Sequence, residues 1–348
     1  MTRGPSVIVA GAGALGLSTA LALADAGCAV TVCDPADGPR ASAVAAGMLA
    51  PVFETVLDGG EPADLDLLLA ARNLWPALAG RAGIEIDRSG TVAVGAAAWL
   101  EQVRAGLTRL GLRGADLPRP LLEGLAPGLA ADVDGVLSRE DWRLDPRAAL
   151  NALRQAAEAA GVAFRAEPAT GRGDADWLVI ATGAGQGLDD VAPELRGLTP
   201  IKGQILRYAD RRGGRVSLRG EGVYAVPGAD GLAIGATMEP GRADTELDLN
   251  ALAPLIAAAE RLFPELSGAT FGASAGVRAA TPDGLPMVGP ATGPGVLLAV
   301  GARRNGWLLA PRVAQIVTAC VTGGDAGPYA ARLDPARFAG RPSEGKAV

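Results

Sequence analysis

Three glycines near the amino terminus have the spacing of a phosphate-binding turn. Gly11, Gly13 and Gly16 form the pattern GxGxxG between an apolar run, residues 7–10, and an Ala/Leu-rich helix expected over residues 14–26. In such a turn the first glycine permits a sharp bend, the second lets the backbone approach a pyrophosphate, and the third lets the helix pack closely on the strand. The amino end of the helix offers free N–H groups and partial positive charge to the phosphates.

A second apolar run predicts a neighbouring strand, and an acidic residue follows its end. Residues 29–33 are apolar and Asp34 follows them. A carboxylate at this point accepts hydrogen bonds from ribose hydroxyls and disfavours a 2′-phosphate. A Gly-rich turn is a weak signal when it stands alone, but here every part of the unit occurs in order. We therefore predict a dinucleotide site that also includes Ala14 and Leu15 at the start of the helix.

A run of small residues follows this first unit. It begins at Ser42 and continues through Ala45, Ala46, Gly47 and Met48. Side chains of this size would let a flat ligand lie against the backbone. The alternative interpretation is a plain short helix without a ligand.

Composition excludes several classes of function. The 348 residues are long enough for a large core and two domains, and their 49% hydrophobic content is ordinary for a soluble protein. With 32 Lys and Arg against 38 Asp and Glu, the net charge of −6 implies no nucleic-acid partner. The chain has no histidine, which excludes Ser-His-Asp and Cys-His nucleophile systems and most zinc sites, so we predict no metal. Chemistry must come from a cofactor or from Arg, Tyr and carboxylates.

The cysteines and the apolar amino-terminal stretch bear on location. Cys28, Cys33 and Cys320 lack metal-ligand spacing, and an odd number argues against a disulfide framework, so we expect a reducing, cytoplasmic setting. Residues 7–24 are mostly apolar, but their three glycines, the early Asp25 and the lack of a basic leader argue against a signal peptide or a membrane span.

Patterns of strands and helices continue along the rest of the chain. Asp145 and Asn250 are the expected N-caps of two of the helices. Strands are predicted over residues 177–181, 204–208, 223–226, 232–236, 271–280 and 296–300, with two more within 84–95, and helices over 62–79, 146–161, 250–263 and 306–321.

These patterns predict an α/β fold with two domains. The βαβ patterns lie at the amino terminus, near residues 145–185 and at the carboxyl terminus, and antiparallel-looking strands lie between them. We therefore expect a Rossmann-like nucleotide-binding domain built from separated segments, with an inserted, mainly antiparallel-sheet substrate domain. The expected boundaries are 1–80, 141–197 and 272–348 for the first domain, and 81–140 and 198–271 for the second.

Taken together, the motifs resemble the FAD-dependent D-amino acid oxidase superfamily, and within it the glycine oxidase branch of thiamine biosynthesis. The resemblance covers about residues 7–310. It is carried by GAGALG at 11–16, AAGMLAP at 45–51, ATGAG at 181–185, KGQ at 202–204, GATM at 235–238, RAATPDGLP at 278–286 and RNG at 304–306.

This resemblance implies an FAD-binding domain and FAD that is not covalently attached. The sarcosine oxidase branch attaches its flavin through a cysteine on the substrate-domain side, and no cysteine lies between Cys33 and Cys320 here. The residues implied to bind FAD are those of the first unit and the small-residue run, together with Thr182, Gly183, Arg304, Asn305, Gly306 and Trp307.

Three side chains match the substrate-binding positions of this superfamily. Arg278 ends a long predicted strand and is similar to the arginine that binds the substrate carboxylate, a task that suits the forked donors of a guanidinium. Tyr224 matches a tyrosine whose hydroxyl lines the site, and Met238 a residue at the pocket wall. The alternatives are a surface arginine, a core tyrosine and a methionine that only fills space.

The helix that begins near Asn305 and Gly306 has an expected electrostatic role. Reduced flavin carries negative charge around N1 and the C2 carbonyl, and a helix N-terminus with Arg304 beside it would stabilise that charge. The alternative is a glycine helix start without a ligand.

The implied reaction is oxidation of a small amino acid by hydride transfer from its α-carbon to flavin N5, followed by hydrolysis of the imine to a keto acid and ammonia. Oxygen is the expected acceptor, with hydrogen peroxide as product. The alternatives are a D-amino acid or N-methyl amino acid dehydrogenase with another acceptor, an NAD-dependent dehydrogenase, and a flavin-binding scaffold without activity. A homo-oligomer is compatible with the sequence.

Departures from the pattern of relatives affect the substrate and the acceptor. Ala302 and Arg303 replace a His-Tyr pair that often precedes RNG, and Arg303 would invite an acidic substrate. The lysine that activates oxygen in the sarcosine oxidase branch has no counterpart in residues 231–234. Oxidase and dehydrogenase therefore both remain open at this point.

Overall fold

Two large sheets organise the computed structural model, which describes residues 4–35, 40–185, 187–211 and 213–339. The helices are α1 (Ala14–Asp25), α2 (Ala41–Val44), α3 (Pro51–Leu57), α4 (Pro62–Arg72), α5 (Trp75–Ala82), α6 (Ala97–Arg109), α7 (Arg119–Leu125), α8 (Pro146–Ala159), α9 (Leu249–Leu262), α10 (Gly306–Thr322) and α11 (Ala330–Leu333). The strands are β1 (Ser6–Ala10), β2 (Ala29–Cys33), β3 (Met48–Leu49), β4 (Thr91–Gly95), β5 (Ala115–Leu117), β6 (Asp134–Ser138), β7 (Trp142–Arg143), β8 (Ala163–Arg165), β9 (Trp177–Ile180), β10 (Thr199–Tyr208), β11 (Ser217–Gly220), β12 (Val223–Gly228), β13 (Gly231–Gly235), β14 (Glu239–Pro240), β15 (Gly272–Ala280), β16 (Met287–Pro290) and β17 (Val296–Val300).

The first sheet has six strands in the order β16-β17-β9-β1-β2-β8. All neighbours are parallel except β16, which is antiparallel to β17. Its central strands are apolar and rich in valine and leucine, which is typical of a parallel sheet covered on both faces. Helices α1 and α10 pack together in the core on this sheet.

The second sheet has nine strands, in the order β14-β10-β13-β12-β11-β4-β6-β5 with β15 paired to β10. Its pairs are antiparallel apart from β11 with β4. Helix α9 covers one face with leucine and alanine side chains, which form a separate apolar core with the strands. A parallel sheet with helices and a mainly antiparallel sheet are the two parts expected from the sequence.

Sheet membership bears on the predicted domain segments. Residues 91–138 and 199–271, which fall within the segments predicted for the inserted domain, supply strands to the nine-stranded sheet. Strand β15, which falls within the segment 272–348 expected in the nucleotide-binding domain, forms its ladder with β10 of the nine-stranded sheet. Its last residue, Ala280, bridges to Ala302, so β15 ends beside the start of α10.

Local predictions were correct at some helix ends and wrong at others. Asp145 accepts hydrogen bonds from two N–H groups of α8, as a cap should. The cap of α9 is Asp248, two residues before the expected Asn250, because its carboxylate accepts from the first-turn N–H groups. The expected helix over 62–79 is two helices, since Pro76 lies in the first turn of α5 and has no N–H to continue α4. Only one strand, β4, forms within 84–95.

The most deeply packed helix is α10. Twelve of its residues are buried, so it is apolar on almost every side, as a helix in the centre of a large protein should be. No helix in the described ranges combines the length and apolar character that crossing a bilayer requires.

The turn between β1 and α1 depends on two glycines that lie in contact. A Cβ on Gly16 would lie 2.0 Å from the carbonyl oxygen of Gly11, and a Cβ on Gly11 would lie 2.6 Å from that of Ala181. Gly11 also has φ of +106°, which side chains disfavour. The close contact between α1 and the sheet is therefore available to glycine alone, as the sequence predicted for the third glycine.

We predict that Gly16→Ala lowers the free energy of unfolding by about 1–3 kcal/mol, because α1 must move away from the sheet. Gly13→Ala is the control, since its Cβ would meet only the Ser42 hydroxyl, at 3.2 Å. Urea unfolding of the cofactor-free proteins measures both. Equal stability of the Gly16→Ala variant and the parent would contradict the tight contact.

Candidate active site

The residues of the predicted dinucleotide site meet at the carboxyl edge of the six-stranded sheet. Gly11 donates its N–H to the carbonyl of Cys33, which joins the turn to the end of β2. Asp34 accepts a hydrogen bond from the N–H of Ala12 at 3.2 Å and pairs with Arg40. The carboxylate therefore lies beside the Gly-rich turn, at the place that a ribose would require.

Ser42 lies at the amino end of α1. Its hydroxyl accepts a hydrogen bond from the N–H of Ala14 at 3.0 Å, and its carbonyl accepts one from the Trp307 indole N–H, also at 3.0 Å. Leu15 packs partly buried against the core of this domain. Ser42 thus joins the start of α1, where phosphates are expected, to the start of α10.

The small-residue run begins in a short helix, α2, and continues as an extended segment into β3, so the expected short helix covers only its first part, and contact with a flat ligand stays a prediction. Helix α2 covers residues 41–44, and residues 45–48 lead into β3. Gly47 has φ of +75°, and a Cβ there would lie 2.1 Å from the carbonyl oxygen of Leu144. Ala45, Ala46 and Met48 line a cavity with it. Only glycine allows this segment to lie so close to the strand that precedes α8.

The second Gly-rich turn lies next to the first. Thr182 and Gly183 follow β9, whose neighbour is β1, and the N–H of Ala181 donates to the carbonyl of Ala10. Gly183 has φ of +63°. The structure thus brings 182–183 to the same sheet edge as the phosphate turn.

Helix α10 begins with Asn305 as its N-cap, and no side-chain cap bond forms there. Its first N–H groups are therefore available to a ligand, and the helix dipole favours negative charge at this end. Arg304 precedes the cap, and the main-chain N–H of Arg303 donates to the carbonyl of Ala279 on β15. That hydrogen bond ties the start of α10 to the strand that carries Arg278.

Glycines make room on the nine-stranded sheet for two predicted substrate-binding side chains. A Cβ on Gly203 would lie 2.4 Å from both terminal nitrogens of Arg278, and a Cβ on Gly235 would lie 2.3 Å from the hydroxyl oxygen of Tyr224. Gly203 pairs with Gly276 across β10 and β15. Arg278 and Tyr224 therefore lie over a surface formed by bare backbone.

Arg278 has no acidic partner among the residues described. Its Nη1 donates to the Sδ of Met238 at 3.3 Å and to the carbonyl oxygen of Thr237 at 3.5 Å. Burial lowers the pKa of Arg278, and the like charges of Arg304 and Arg303 lower it further. An arginine without a carboxylate in a cationic surrounding is suited to bind an anion from outside the chain.

Tyr224 lies among the arginines of the site. Burial raises the pKa of its hydroxyl, and Arg278 and then Arg219 lower it. The phenol stays protonated at neutral pH and can donate a hydrogen bond. The sequence left open whether Tyr224 is a core residue or a site residue. Its position at the cavity wall favours the site, and its role there stays a prediction.

Met238 lies at the outer side of Arg278 rather than in the buried wall. It is 39% exposed. Its loop is held by Thr237, whose hydroxyl accepts from the N–H of Gln204 at 2.9 Å and donates to Glu239 at 2.6 Å. Met238 thus covers the guanidinium from a fixed loop.

A buried lysine lies on the other face of β10. Lys202 is fully buried and its Nζ lies 2.7 Å from Asp244. Because side chains alternate along a strand, Lys202 and Gln204 point away from the surface that Gly203 shares with Arg278. The lysine therefore lies outside the cavity.

Two charged residues that line the cavity were not predicted from the sequence. Glu54 on α3 and Arg219 on β11 are both buried and pair with each other. Glu54 also accepts hydrogen bonds from Arg304, from Nε at 3.0 Å and from Nη2 at 2.8 Å. A lone acid in the apolar run VFETV and a lone arginine in a short strand were the available signals.

Helix α3 is anchored by a buried acid, Asp141. Its two oxygens accept from the N–H groups of Val52 at 2.8 Å and Phe53 at 3.1 Å. Burial raises the pKa of Asp141 to about 7, although these hydrogen bonds and Arg72 oppose the rise. Asp141 thereby fixes the first turn of the helix that carries Glu54.

Arg303, which was expected to favour an acidic substrate, lies near a carboxylate of the chain itself. It has φ of +49°, and its side chain lies 3.6 Å from Asp58, which also pairs with Arg304. The residue belongs to the rim of the site, where a carboxylate compensates its charge.

Arg278, Tyr224, Arg219, Arg304 and Glu54 line one cavity of about 80 Å³. By the volume that a water molecule needs, this is room for roughly five to eight waters, and so for a compact ligand. A larger cleft of about 780 Å³ lies between the start of α8 and the β12–β13 hairpin. It shares residues 45–46 with the first cavity, but none of these five side chains lines it.

The residues present suit FAD. Free N–H groups at the start of α10, the glycine turn at α1 and the carboxylate of Asp34 supply sites for the flavin, the pyrophosphate and the ribose. The extended run 45–48 lies between these ends.

Comparisons with known proteins agree with this arrangement. The family described as FAD dependent oxidoreductase matches residues 6–320. A glycine oxidase of Pseudomonas putida is 31% identical over 96% of this chain and 97% of its own length. A bifunctional ThiO/ThiG protein of Trichormus variabilis is 31% identical over 97% of this chain and 55% of its own length. The crystal structure of a glycine oxidase from Geobacillus kaustophilus superposes with a TM-score of 0.82 at 26% identity, over 97% of this chain and 100% of that one.

We predict that Gly203→Ala weakens the binding of a small carboxylate such as propionate by roughly 10- to 100-fold, because the added methyl displaces the Arg278 guanidinium. Stability should change little, since the displaced atoms are the end of a flexible side chain. Calorimetry and thermal unfolding measure the two effects. Gly272→Ala, where no atom lies within 4 Å of the new Cβ, is the control. Unchanged affinity in Gly203→Ala would contradict the placement of Arg278.

We also predict a pH dependence of stability from Asp141. The folded pKa of about 7 exceeds the value of about 3.9 in an unfolded chain, so between these pH values the folded state binds more protons. The free energy of unfolding should therefore fall by up to about 4 kcal/mol as the pH rises from about 4 to about 7. Asp141→Asn should remove this decrease and the exposed control Asp132→Asn should keep it, as urea unfolding at several pH values would show. Parallel curves for all three proteins would refute the assignment.

Proposed function

The chain belongs to the family of FAD-dependent oxidoreductases, its cofactor is FAD, and from this premise we propose that it oxidises a small amino acid, glycine or a close derivative, to the imine. The observation that carries the proposal is Arg278. It is a partly buried guanidinium without an acidic partner among the described residues, beside a partly buried tyrosine and the start of α10. This arrangement supports recognition of a carboxylate next to the flavin site.

The side chains of the cavity have separable tasks in this reaction. Arg278 binds the substrate carboxylate through two parallel hydrogen bonds, and Tyr224 donates a third from its protonated hydroxyl. The guanidiniums of Arg219 and Arg304 make the cavity positive, which favours an amine that enters uncharged. A neutral amine needs no general base, so the absence of histidine in the sequence is compatible with the reaction.

When bound, FAD supplies the acceptor for the hydride that leaves the α-carbon, and oxygen then takes the electrons to give hydrogen peroxide. The start of α10 and Arg304 offer positive charge at the place where negative charge develops. The imine leaves the site and is hydrolysed by water to a keto acid and ammonia. A role in thiamine biosynthesis follows from the likeness to ThiO/ThiG proteins and is part of the proposal.

The acceptor is tested separately from the amino acid. A yellow protein that bleaches with glycine without oxygen, and that consumes oxygen and forms peroxide in air, supports the oxidase. Bleaching with activity only towards an artificial dye would identify a dehydrogenase. A colourless protein that no amino acid reduces would refute the proposal.

We predict that Arg278→Met lowers kcat/KM for the best amino acid by at least roughly 100-fold, mainly through KM, because the carboxylate loses its bidentate partner. Arg278→Lys should recover only part of this loss, since ammonium lacks the planar fork. The flavin spectrum should stay unchanged in both. Arg147→Met, on the exposed first turn of α8, is the control. Full activity of Arg278→Met would show that another group binds the carboxylate.

A further inference from the structure

Arg219 is a buried arginine at the cavity wall. It is 8% exposed, lines the cavity and pairs with Glu54, yet its Nε is buried without a hydrogen-bond partner. Glu54 accepts from Arg219 at Oε1 and from two nitrogens of Arg304 at Oε2, so the two guanidiniums share one carboxylate. Arg219 therefore adds positive charge to the cavity wall, which a carboxylate shared with Arg304 offsets only in part.

The charges of the site do not balance. Three guanidiniums, those of Arg219, Arg278 and Arg304, line the cavity with one carboxylate, Glu54, while Arg303 and Asp58 offset each other outside its lining. This leaves an excess of two positive charges in a place where burial makes uncompensated charge costly. A substrate with one carboxylate compensates one of them.

The position of Arg219 indicates where a second negative charge of a ligand would bind. Arg219 and Tyr224 are directly opposite each other on β11 and β12, and the Arg219 guanidinium lies 5.7 Å from the Tyr224 ring centre. Arg278 acts on the same tyrosine more strongly than any other charge. Two cationic side chains of the nine-stranded sheet, Arg278 and Arg219, therefore act on Tyr224. Arg304, by contrast, precedes α10, where the flavin is expected.

We propose that Arg219 binds a second carboxylate of the substrate while Arg278 binds the first. The preferred substrates are then compact amines with two carboxylates, either acidic amino acids or N-carboxymethyl amines such as iminodiacetate. An acidic substrate was expected from Arg303, and the geometry moves that role to Arg219. The inference rests on the proposed function and specifies its substrate class.

The second carboxylate takes no part in the chemistry. The C–H bond of the carbon that carries nitrogen breaks with its electron pair going to the cofactor, the nitrogen lone pair forms the C=N bond, and a proton leaves the nitrogen. Both carboxylates stay intact.

The decisive variant is Arg219→Met, which retains an unbranched side chain without charge. For the FAD-loaded enzyme we expect kcat/KM for iminodiacetate or aspartate to fall at least roughly tenfold further than kcat/KM for glycine or sarcosine. Malonate and propionate contain no amine and so cannot undergo the reaction. Calorimetry with these two ligands measures binding separately from activity. The wild type should bind malonate at least roughly tenfold more tightly than propionate, and Arg219→Met should lose that preference.

Two further variants separate binding from structural support. Arg219→Lys should retain a weaker preference for malonate, because it keeps the charge without the fork. Arg215→Met, an exposed arginine on the same segment, should leave both affinities unchanged. An equal loss for one-carboxylate and two-carboxylate ligands would assign Arg219 to support of Glu54 and overturn the proposal, as would a wild type that prefers propionate. If no amino acid is oxidised, the proposed function fails, while the malonate measurement still tests Arg219.

Discussion

The antiparallel pairing of β10 with β15 is the contact on which the site depends. Gly203 and Gly276 face each other in this ladder. The bare backbone at Gly203 leaves room for the Arg278 guanidinium, and that at Gly276 lies against α2, where a Cβ would be 3.1 Å from the Cα of Ala41. One pair of strands therefore positions Arg278 and contacts α2, the helix that leads to residues 45–48. The end of β15 accepts a hydrogen bond from the main-chain N–H of Arg303, which places the start of α10 beside this pair of strands.

Positive charge is the second constraint on this fold. Glu54 accepts from both Arg219 and Arg304, so a single buried carboxylate separates two guanidiniums. Asp141 fixes the first turn of α3, the helix that carries Glu54. Its raised pKa shows that burial disfavours its ionised form. Burying so many charges stabilises a protein little. The arrangement is better understood as a cavity whose potential favours anionic ligands.

Much of the fold and about half of the site could be predicted from the chain. Local signals identified the glycine turn, the acid after β2, the cap Asp145 and the long strand that ends near Arg278. Glu54 and Arg219 could not be found in this way, because they are 165 residues apart and become a pair only when α3 meets β11. The unexpected place of β15 has the same cause, since a strand pattern does not say which sheet will pair with it.

The sequence by itself determined the parts whose physical requirements are local: where a phosphate can approach the backbone, where helices begin, and which chemistry is closed to a chain without histidine. Its likeness to known oxidases added FAD and the proposal that Arg278 binds a carboxylate. Only the tertiary structure decided which charges share one cavity, because ion pairs and cross-sheet contacts join residues far apart in the chain. It placed Lys202 on the far face of β10 and Arg219 beside Tyr224, two outcomes that depend on strand register and burial rather than on any motif.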